Sequence, residues 1–144
     1  MTRSLQGMEI LLIEDNFLIL YETKLILEEA GATVTTAGSV KECLPLCEAD
    51  YHAAILDIDL PDGTVQPVAE RLHMRHTPLI FHSGSTDNPA IFPQFPDAVI
   101  LIKPASENQL VASVHKQALA SGRQLGEEPG SGASQALARS PAGS

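Results

Sequence analysis

The chain has 144 residues, a net charge of −9 and an apolar content of 44%, as expected for a single globular domain. The acidic balance excludes a nucleic-acid or anionic-membrane surface, because either would need a basic footprint. The apolar runs are far shorter than the ~18 residues of a membrane span, and the N-terminal MTRSLQG lacks a signal-peptide core. A cytoplasmic protein is therefore expected.

Short apolar runs alternate along the chain with longer segments of helical character. The predicted strands are 9–13, 33–37, 53–56, 79–81 and 98–102. Runs without polar alternation indicate strands buried on both faces, which is typical of a parallel sheet covered by helices. The pattern predicts an α/β fold with a doubly wound, five-stranded parallel sheet flanked by helices.

Helix signals lie between these strands. One helix should be capped by Asn16 and run to about Ala30, and two more should begin with the capping-box patterns SVKE (39–42) and SENQ (106–109). The segment QPVAERLHM (66–74) predicts a further helix, with its proline tolerated in the first turn.

Two stretches interrupt the helical pattern, and a third ends it. Pro45 falls inside the second predicted helix and should shorten or kink it. The segment DNPAIFPQFP (87–96) holds three prolines, so the fourth helix should be short, irregular or absent. From residue 121 the composition shifts to Gly, Ser, Ala and Pro without apolar periodicity. The sequence thus predicts one domain over 1–120 and a disordered tail over 121–144.

Reactive side chains follow four of the five predicted strands. Glu14 and Asp15 follow the first, Asp57 the third, Ser83 the fourth and Lys103 the fifth. Ligands of open parallel sheets bind at the carboxyl ends of the strands, so these groups should converge there. Clustered carboxylates suit Mg²⁺, and a lysine with a hydroxyl suits an anion bound against the metal. Together they predict a phosphoryl-transfer site.

Three acids compete for the role of nucleophile in the stretch AAILDIDLPDGT (53–64). Asp57 ends the strand, so the sheet should hold its side chain and aim it at the cleft. Asp59 and Asp62 lie in the following loop, where Pro and Gly predict a turn. Asp57 is therefore predicted to react and form an acyl phosphate. His82 is interpreted as a loop or packing histidine, since no second histidine or cysteine lies at metal-ligand spacing.

This ordered set of motifs resembles the receiver domain of two-component response regulators over roughly residues 8–120. The resemblance implies a flavodoxin-like receiver fold in which Asp57 accepts phosphate from a sensor histidine kinase or phosphotransfer protein. Such a protein is not a conventional enzyme, although it catalyses its own phosphorylation and dephosphorylation. No output domain follows, so we expect signalling by contact with an unidentified protein target, or a role as phosphate shuttle or sink.

The resemblance also implies roles for the individual site residues. Asp15 and Asp57 would bind Mg²⁺ directly, Glu14 would assist through water, and the backbone carbonyl of Asp59 would complete the protein ligands. Ser83 would contact the phosphoryl oxygens.

Lys103 would contact the phosphoryl oxygens as well. In receivers the peptide bond that follows this lysine is cis, and the sequence here is Lys103–Pro104. The resemblance therefore implies a cis bond that turns the ammonium into the cleft.

Three features depart from the usual receiver pattern. The loop DIDLPDG is shorter than usual after the acceptor, and Ile100 occupies a position where most receivers have an aromatic residue. The stretch PLIFHSGS (78–85) is similar to the FATGUY motif of an alphaproteobacterial group of stand-alone receivers that also lacks that aromatic. Phe81, Ser83 and Gly84 match the motif, whereas His82 and Ser85 do not.

Two alternatives remain open. A degenerate receiver would act as a binding module without phosphorylation. A haloacid-dehalogenase-type phosphatase would use Asp57 as nucleophile and Asp59 as acid, but that family places its metal-binding acid pair after the lysine, and here the pair precedes Asp57.

Overall fold

A computed structural model describes residues 4–84 and 90–122. The strands are β1 (Glu9–Ile13), β2 (Thr33–Ala37), β3 (Ala53–Asp57), β4 (Asp59–Leu60), β5 (Gly63–Thr64), β6 (Leu79–Ser83) and β7 (Val99–Ile102). The helices are α1 (Phe17–Glu29), α2 (Val40–Leu46), α3 (Gln66–Met74) and α4 (Glu107–Ala120). Five strands form one parallel sheet in the order β2-β1-β3-β6-β7, and β4 pairs with β5 as a separate antiparallel hairpin. The doubly wound five-stranded sheet predicted from the sequence is confirmed.

Helices cover both faces of the sheet and create two apolar layers. One layer contains residues of α2 and α3, and the other contains residues of α1 and α4. The central strands β3 and β6 are buried at every position, as their uninterrupted apolar runs predict. The edge strands β2 and β7 are only partly buried, because each has a neighbouring strand on one side only.

The helix ends follow the predicted capping signals with one exception. The Asn16 side chain caps α1, and the capping box at the start of α4 is complete. At the start of α2, Ser39 accepts a hydrogen bond from the Glu42 amide at 3.2 Å, as a capping box requires. The reciprocal bond is different, because the Glu42 carboxylate accepts from the Gly38 amide at 2.7 Å rather than from Ser39.

The prolines shorten the helices where the sequence predicts it. Helix α2 spans only seven residues and ends at Leu46, directly after Pro45. Within the described part of the fourth helical segment, only a 3₁₀ turn forms, at Phe92–Gln94. Ile100 and Ile102 on β7 remain 42% and 39% exposed, and no full helix covers them in the described ranges.

The helices found in residues 4–84 and 90–122 all lack the length and hydrophobicity that a membrane-spanning helix needs. The predicted disordered tail over 121–144 lies, from residue 123 onward, outside the described residues. It stays a prediction.

Candidate functional site

Three carboxylates meet at the carboxyl edge of the sheet. Glu14 and Asp15 directly follow β1, and Asp57 ends the neighbouring strand β3. Each side chain offers one oxygen, and these oxygens all lie within 4.8 Å of one another. Glu14 and Asp57 are buried, whereas Asp15 is exposed to solvent. The convergence predicted from the strand order is therefore found.

Lys103 brings a cation to this cluster. Its backbone amide donates to the Ser83 carbonyl at 2.7 Å, which continues the pairing of β6 with β7 beyond the last strand residue. Its ammonium nitrogen Nζ lies 3.0 Å from Glu14 Oε1 and 3.4 Å from Asp57 Oδ1. The Lys103–Pro104 bond is cis, which confirms the expectation drawn from the resemblance.

The site carries more negative than positive charge. Burial, followed by hydrogen bonding and charge repulsion from Glu14, raises the pKa of Asp57 to about 7 against the opposing charge of Lys103. Burial favours a lower pKa for Lys103, but its hydrogen bond to Glu14 and the charge of Asp57 together hold the pKa above its usual value. The ammonium thus stays charged, yet it balances only one of three carboxylates.

The excess negative charge of the site favours binding of a divalent cation. Metal binding requires deprotonated carboxylates, and in that form the three carboxylates and one ammonium carry a net charge of −2, with only hard oxygens as side-chain donors. Mg²⁺ prefers carboxylate oxygens and carries the compensating charge. The donor set of Glu14, Asp15 and Asp57 therefore fits Mg²⁺.

Ser83 and His82 end β6 beside the acceptor strand. His82 lies opposite Asp57 in the parallel register, and Ser83 is the next residue. Both are buried: His82 is 5% exposed and Ser83 is 6% exposed. Ser83 is thus placed at the same sheet edge as the carboxylates.

His82 has an unexpected position for a packing histidine. Burial lowers its pKa, and the Lys103 charge lowers it further, so the ring is neutral at pH 7. Its Nε2 is buried and has no hydrogen-bond partner within the described parts of the chain. The interpretation as a packing histidine agrees with its burial, but its place beside Asp57 was not anticipated.

The remaining two acids of the loop have different surroundings. Asp59 begins the β4–β5 hairpin, where its partner in the register is Thr64. Asp62 lies in the turn of that hairpin, and its two carboxylate oxygens accept hydrogen bonds from the amides of Val40 at 2.9 Å and Lys41 at 3.0 Å. These bonds lower the pKa of Asp62. Sequence reasoning missed this contact, because it joins residues more than 20 positions apart and has no local signal.

The comparisons with known proteins agree with this arrangement. The family model of the response regulator receiver domain matches residues 10–115. The chain belongs to this family.

Solved receivers share its fold. A response regulator receiver protein from Sinorhizobium medicae WSM419 is 24% identical, with a TM-score of 0.72 over 81% of this chain and 98% of that one. A CheY-like receiver domain protein from Methanospirillum hungatei JF-1 is 26% identical, with a TM-score of 0.72 over 79% of this chain and 95% of that one. The receiver domain of a sensor histidine kinase from Pseudomonas aeruginosa PAO1 is 22% identical, with a TM-score of 0.70 over 78% of this chain and 98% of that one. That structure holds a magnesium ion in its active-site cleft.

Proposed function

We propose that this receiver accepts a phosphoryl group on Asp57 in a Mg²⁺-dependent reaction. The observation that carries the proposal is the position of the Asp57 carboxylate. It lies 3.4 Å from the Lys103 ammonium. One of its oxygens also lies within 4.8 Å of a carboxylate oxygen of Glu14 and of Asp15. Glu14 shares both contacts, but it follows strand β1, whereas Asp57 is the last residue of β3 and has its backbone held by the sheet.

In the transfer step, a carboxylate oxygen of Asp57 forms a bond to the phosphorus of the donor. The bond from phosphorus to the donor's histidine nitrogen breaks, and its electron pair stays on that nitrogen. Lys103 stabilises the charge on the transferring phosphoryl oxygens, and the Ser83 hydroxyl donates to one of them. Such positioning and charge stabilisation supply most of the catalysis in phosphoryl transfer.

The metal site is proposed to use four residues. Asp15 and Asp57 would bind Mg²⁺ through their carboxylates, Asp59 through its backbone carbonyl, and Glu14 through water. When bound, Mg²⁺ neutralises negative charge on the carboxylates and on the incoming phosphoryl group. The magnesium ion in the cleft of the Pseudomonas receiver supports this assignment.

The proposed phosphodonor is a sensor histidine kinase or a phosphotransfer protein. Directly beyond the acid cluster, α1 exposes Phe17, Leu18 and Tyr21, which are 73%, 70% and 50% accessible. The rings of Phe17 and Tyr21 stack with their centroids 6.3 Å apart. Apolar side chains this exposed suit contact with another protein, and α1 begins only two residues after Asp15 of the acid cluster.

We further propose a cytoplasmic receiver domain over residues 1–120 that signals by protein contact or passes its phosphate on. The net charge of −9 argues against a nucleic-acid target. Ile100 and the partial match at Phe81, Ser83 and Gly84 support membership of the FATGUY-like stand-alone group.

The proposal is tested by incubating the protein with Mg²⁺ and acetyl phosphate and then assaying protein-bound phosphate. We expect up to one phosphoryl group per chain, released by hydroxylamine because it is an acyl phosphate, and no turnover of p-nitrophenyl phosphate. Sustained ester hydrolysis would instead indicate a phosphatase. Absence of bound phosphate with every donor tried, kinases included, would indicate a degenerate receiver.

A further inference from the structure

The turn of the β4–β5 hairpin is attached to the start of helix α2 through one side chain. Asp62 accepts from the Val40 amide through Oδ1 and from the Lys41 amide through Oδ2. Val40 and Lys41 are the first two residues of α2, and the third, Glu42, donates its amide to Ser39. The first amides of a helix have no partner inside the helix. Here Asp62 satisfies two of them from a distant loop.

Helix α2 is a firm support for this attachment. Val40 and Cys43 are buried in the apolar layer that also contains α3 residues. The bonds to the charged carboxylate belong to the stronger class of hydrogen bonds. An attachment to a packed helix restrains the turn more than solvent contact could.

The hairpin transmits this restraint over a short distance. Asp59 and Leu60 pair with Thr64 and Gly63, so Asp62 lies at the tip and Asp59 at the start. Pro61 fixes its own φ angle. Gly63 has a φ of +131°, which side chains rarely permit. The backbone between the attached carboxylate and the Asp59 carbonyl is therefore short and restricted.

We propose that Asp62 is a positioning residue for the phosphoacceptor site. By binding the start of α2, it fixes the hairpin and thereby holds the Asp59 carbonyl where Mg²⁺ needs a ligand. This inference rests on the proposed function, because it assumes the Asp59 carbonyl as a metal ligand. Groups that orient metal ligands typically change metal affinity about 10–100-fold when mutated.

Ser39 offers a matched control. Its hydroxyl satisfies the third amide of α2, so Ser39→Ala weakens the same helix end as Asp62→Ala does. Ser39 does not belong to the hairpin, however, and no hydrogen bond from its side chain to the hairpin is found among the described residues. A structural effect on α2 would appear in both variants, and an effect on the metal site only in the Asp62 variants.

The experiment measures Mg²⁺ affinity by calorimetry and the initial rate of phosphorylation by acetyl phosphate for wild type, Asp62→Ala, Asp62→Asn and Ser39→Ala. We expect Asp62→Ala to bind Mg²⁺ about tenfold more weakly and to recover most of its rate at saturating Mg²⁺. Asp62→Asn keeps one acceptor oxygen and should show a smaller loss, so it serves if the alanine variant does not fold. Ser39→Ala should stay within about twofold of wild type.

Wild-type Mg²⁺ affinity in both Asp62 variants, or an equal loss in Ser39→Ala, would overturn the proposal. The two claims separate because Mg²⁺ binding is measured without phosphate. If the affinities change as expected but the wild type takes up no phosphate, the proposed function fails and the positioning role stands. If the wild type is phosphorylated but the Asp62 variants bind Mg²⁺ normally, only the positioning role fails.

Discussion

The Lys103 ammonium lies closer to Glu14 than to Asp57, at 3.0 Å against 3.4 Å. Glu14 is almost fully buried, at 2% exposure, and a buried carboxylate without a cationic partner is costly. Lys103 therefore has a structural role in this arrangement in addition to its proposed contact with the phosphoryl group. Lys103 stabilises the buried carboxylate of Glu14, which lies in the same cluster as Asp57.

The first prediction follows from that double role. In EDTA, Lys103→Ala should lower the free energy of unfolding by about 1–3 kcal/mol, less than the ~3–5 kcal/mol of a fully buried pair because Lys103 is partly exposed. Millimolar Mg²⁺ should reduce this difference in unfolding free energy between the variant and the wild type, since the metal supplies the missing positive charge. Urea unfolding with and without Mg²⁺ checks this. Lys116→Ala, which removes an exposed lysine on α4, is the control and should show neither effect.

The second prediction concerns the carboxylates themselves. Asp15→Ala should raise the melting temperature in EDTA, because it removes one of three like charges within 4.8 Å. It should also abolish the stabilisation that millimolar Mg²⁺ gives the wild type by binding the folded state. Glu29→Ala removes the same charge at the far end of α1 and should retain the Mg²⁺ response. A wild-type melting temperature indifferent to Mg²⁺ would mean that these acids form no metal site.

The third prediction is a pH dependence at Asp62. The Val40 and Lys41 amides stabilise its ionised form, so its folded-state pKa lies below its usual value of 3.8. This capping should therefore be complete above pH 3.8 and be lost only as the pH falls through the lower folded-state value. In an NMR titration, the Val40 and Lys41 amide shifts should move together at that low pH and should not titrate in Asp62→Asn. A midpoint above 3.8 would contradict the hydrogen bonds described here.

The fourth prediction concerns the response to phosphorylation. Phe81, two residues before Ser83, contacts Phe92 and Phe95 with ring centroids 5.5 Å and 6.0 Å apart. When Ser83 binds the phosphoryl group, a shift of β6 should reach these rings directly. Ile100, at the position where most receivers have an aromatic residue, is β-branched and stiff about χ1, so we do not expect it to carry the signal.

Amide hydrogen exchange with and without beryllofluoride, a phosphoryl mimic, should thus change most at 90–96 and little at Ile100. Ser83→Ala should lose the change at 90–96, because it cannot donate to the mimic. A response confined to β7 and α4 would show that the signal takes another route.

Local signals in the sequence determined most of the fold and part of the site. Uninterrupted apolar runs located the strands, and capping residues such as Asn16 located helix starts. Strand order then brought Glu14, Asp57 and Lys103 to one edge, because parallel strands present their carboxyl ends together.

The role of Asp62 could not be predicted in this way. Its contact with Val40 depends on how a hairpin folds against a helix 22 residues earlier, and no periodicity or capping motif records such a pairing.

The position of His82 beside Asp57 could not be predicted from local sequence signals either. Its place after an apolar run indicated a strand end, but only the register of β3 with β6 sets it opposite Asp57. Register depends on packing across the whole sheet. Side chains beside a reactive group therefore emerge from the fold rather than from a motif.

Intact-mass spectrometry after incubation with acetyl phosphate and Mg²⁺ tests the central claim most directly. We expect the mass of the wild type to increase by about 80 Da, the formula mass of HPO₃, because Asp57 becomes an acyl phosphate. Asp57→Asn should gain nothing. Asp59→Asn keeps its backbone carbonyl and should still be modified. An adduct of equal yield on Asp57→Asn would contradict the assignment of Asp57 as the phosphoacceptor.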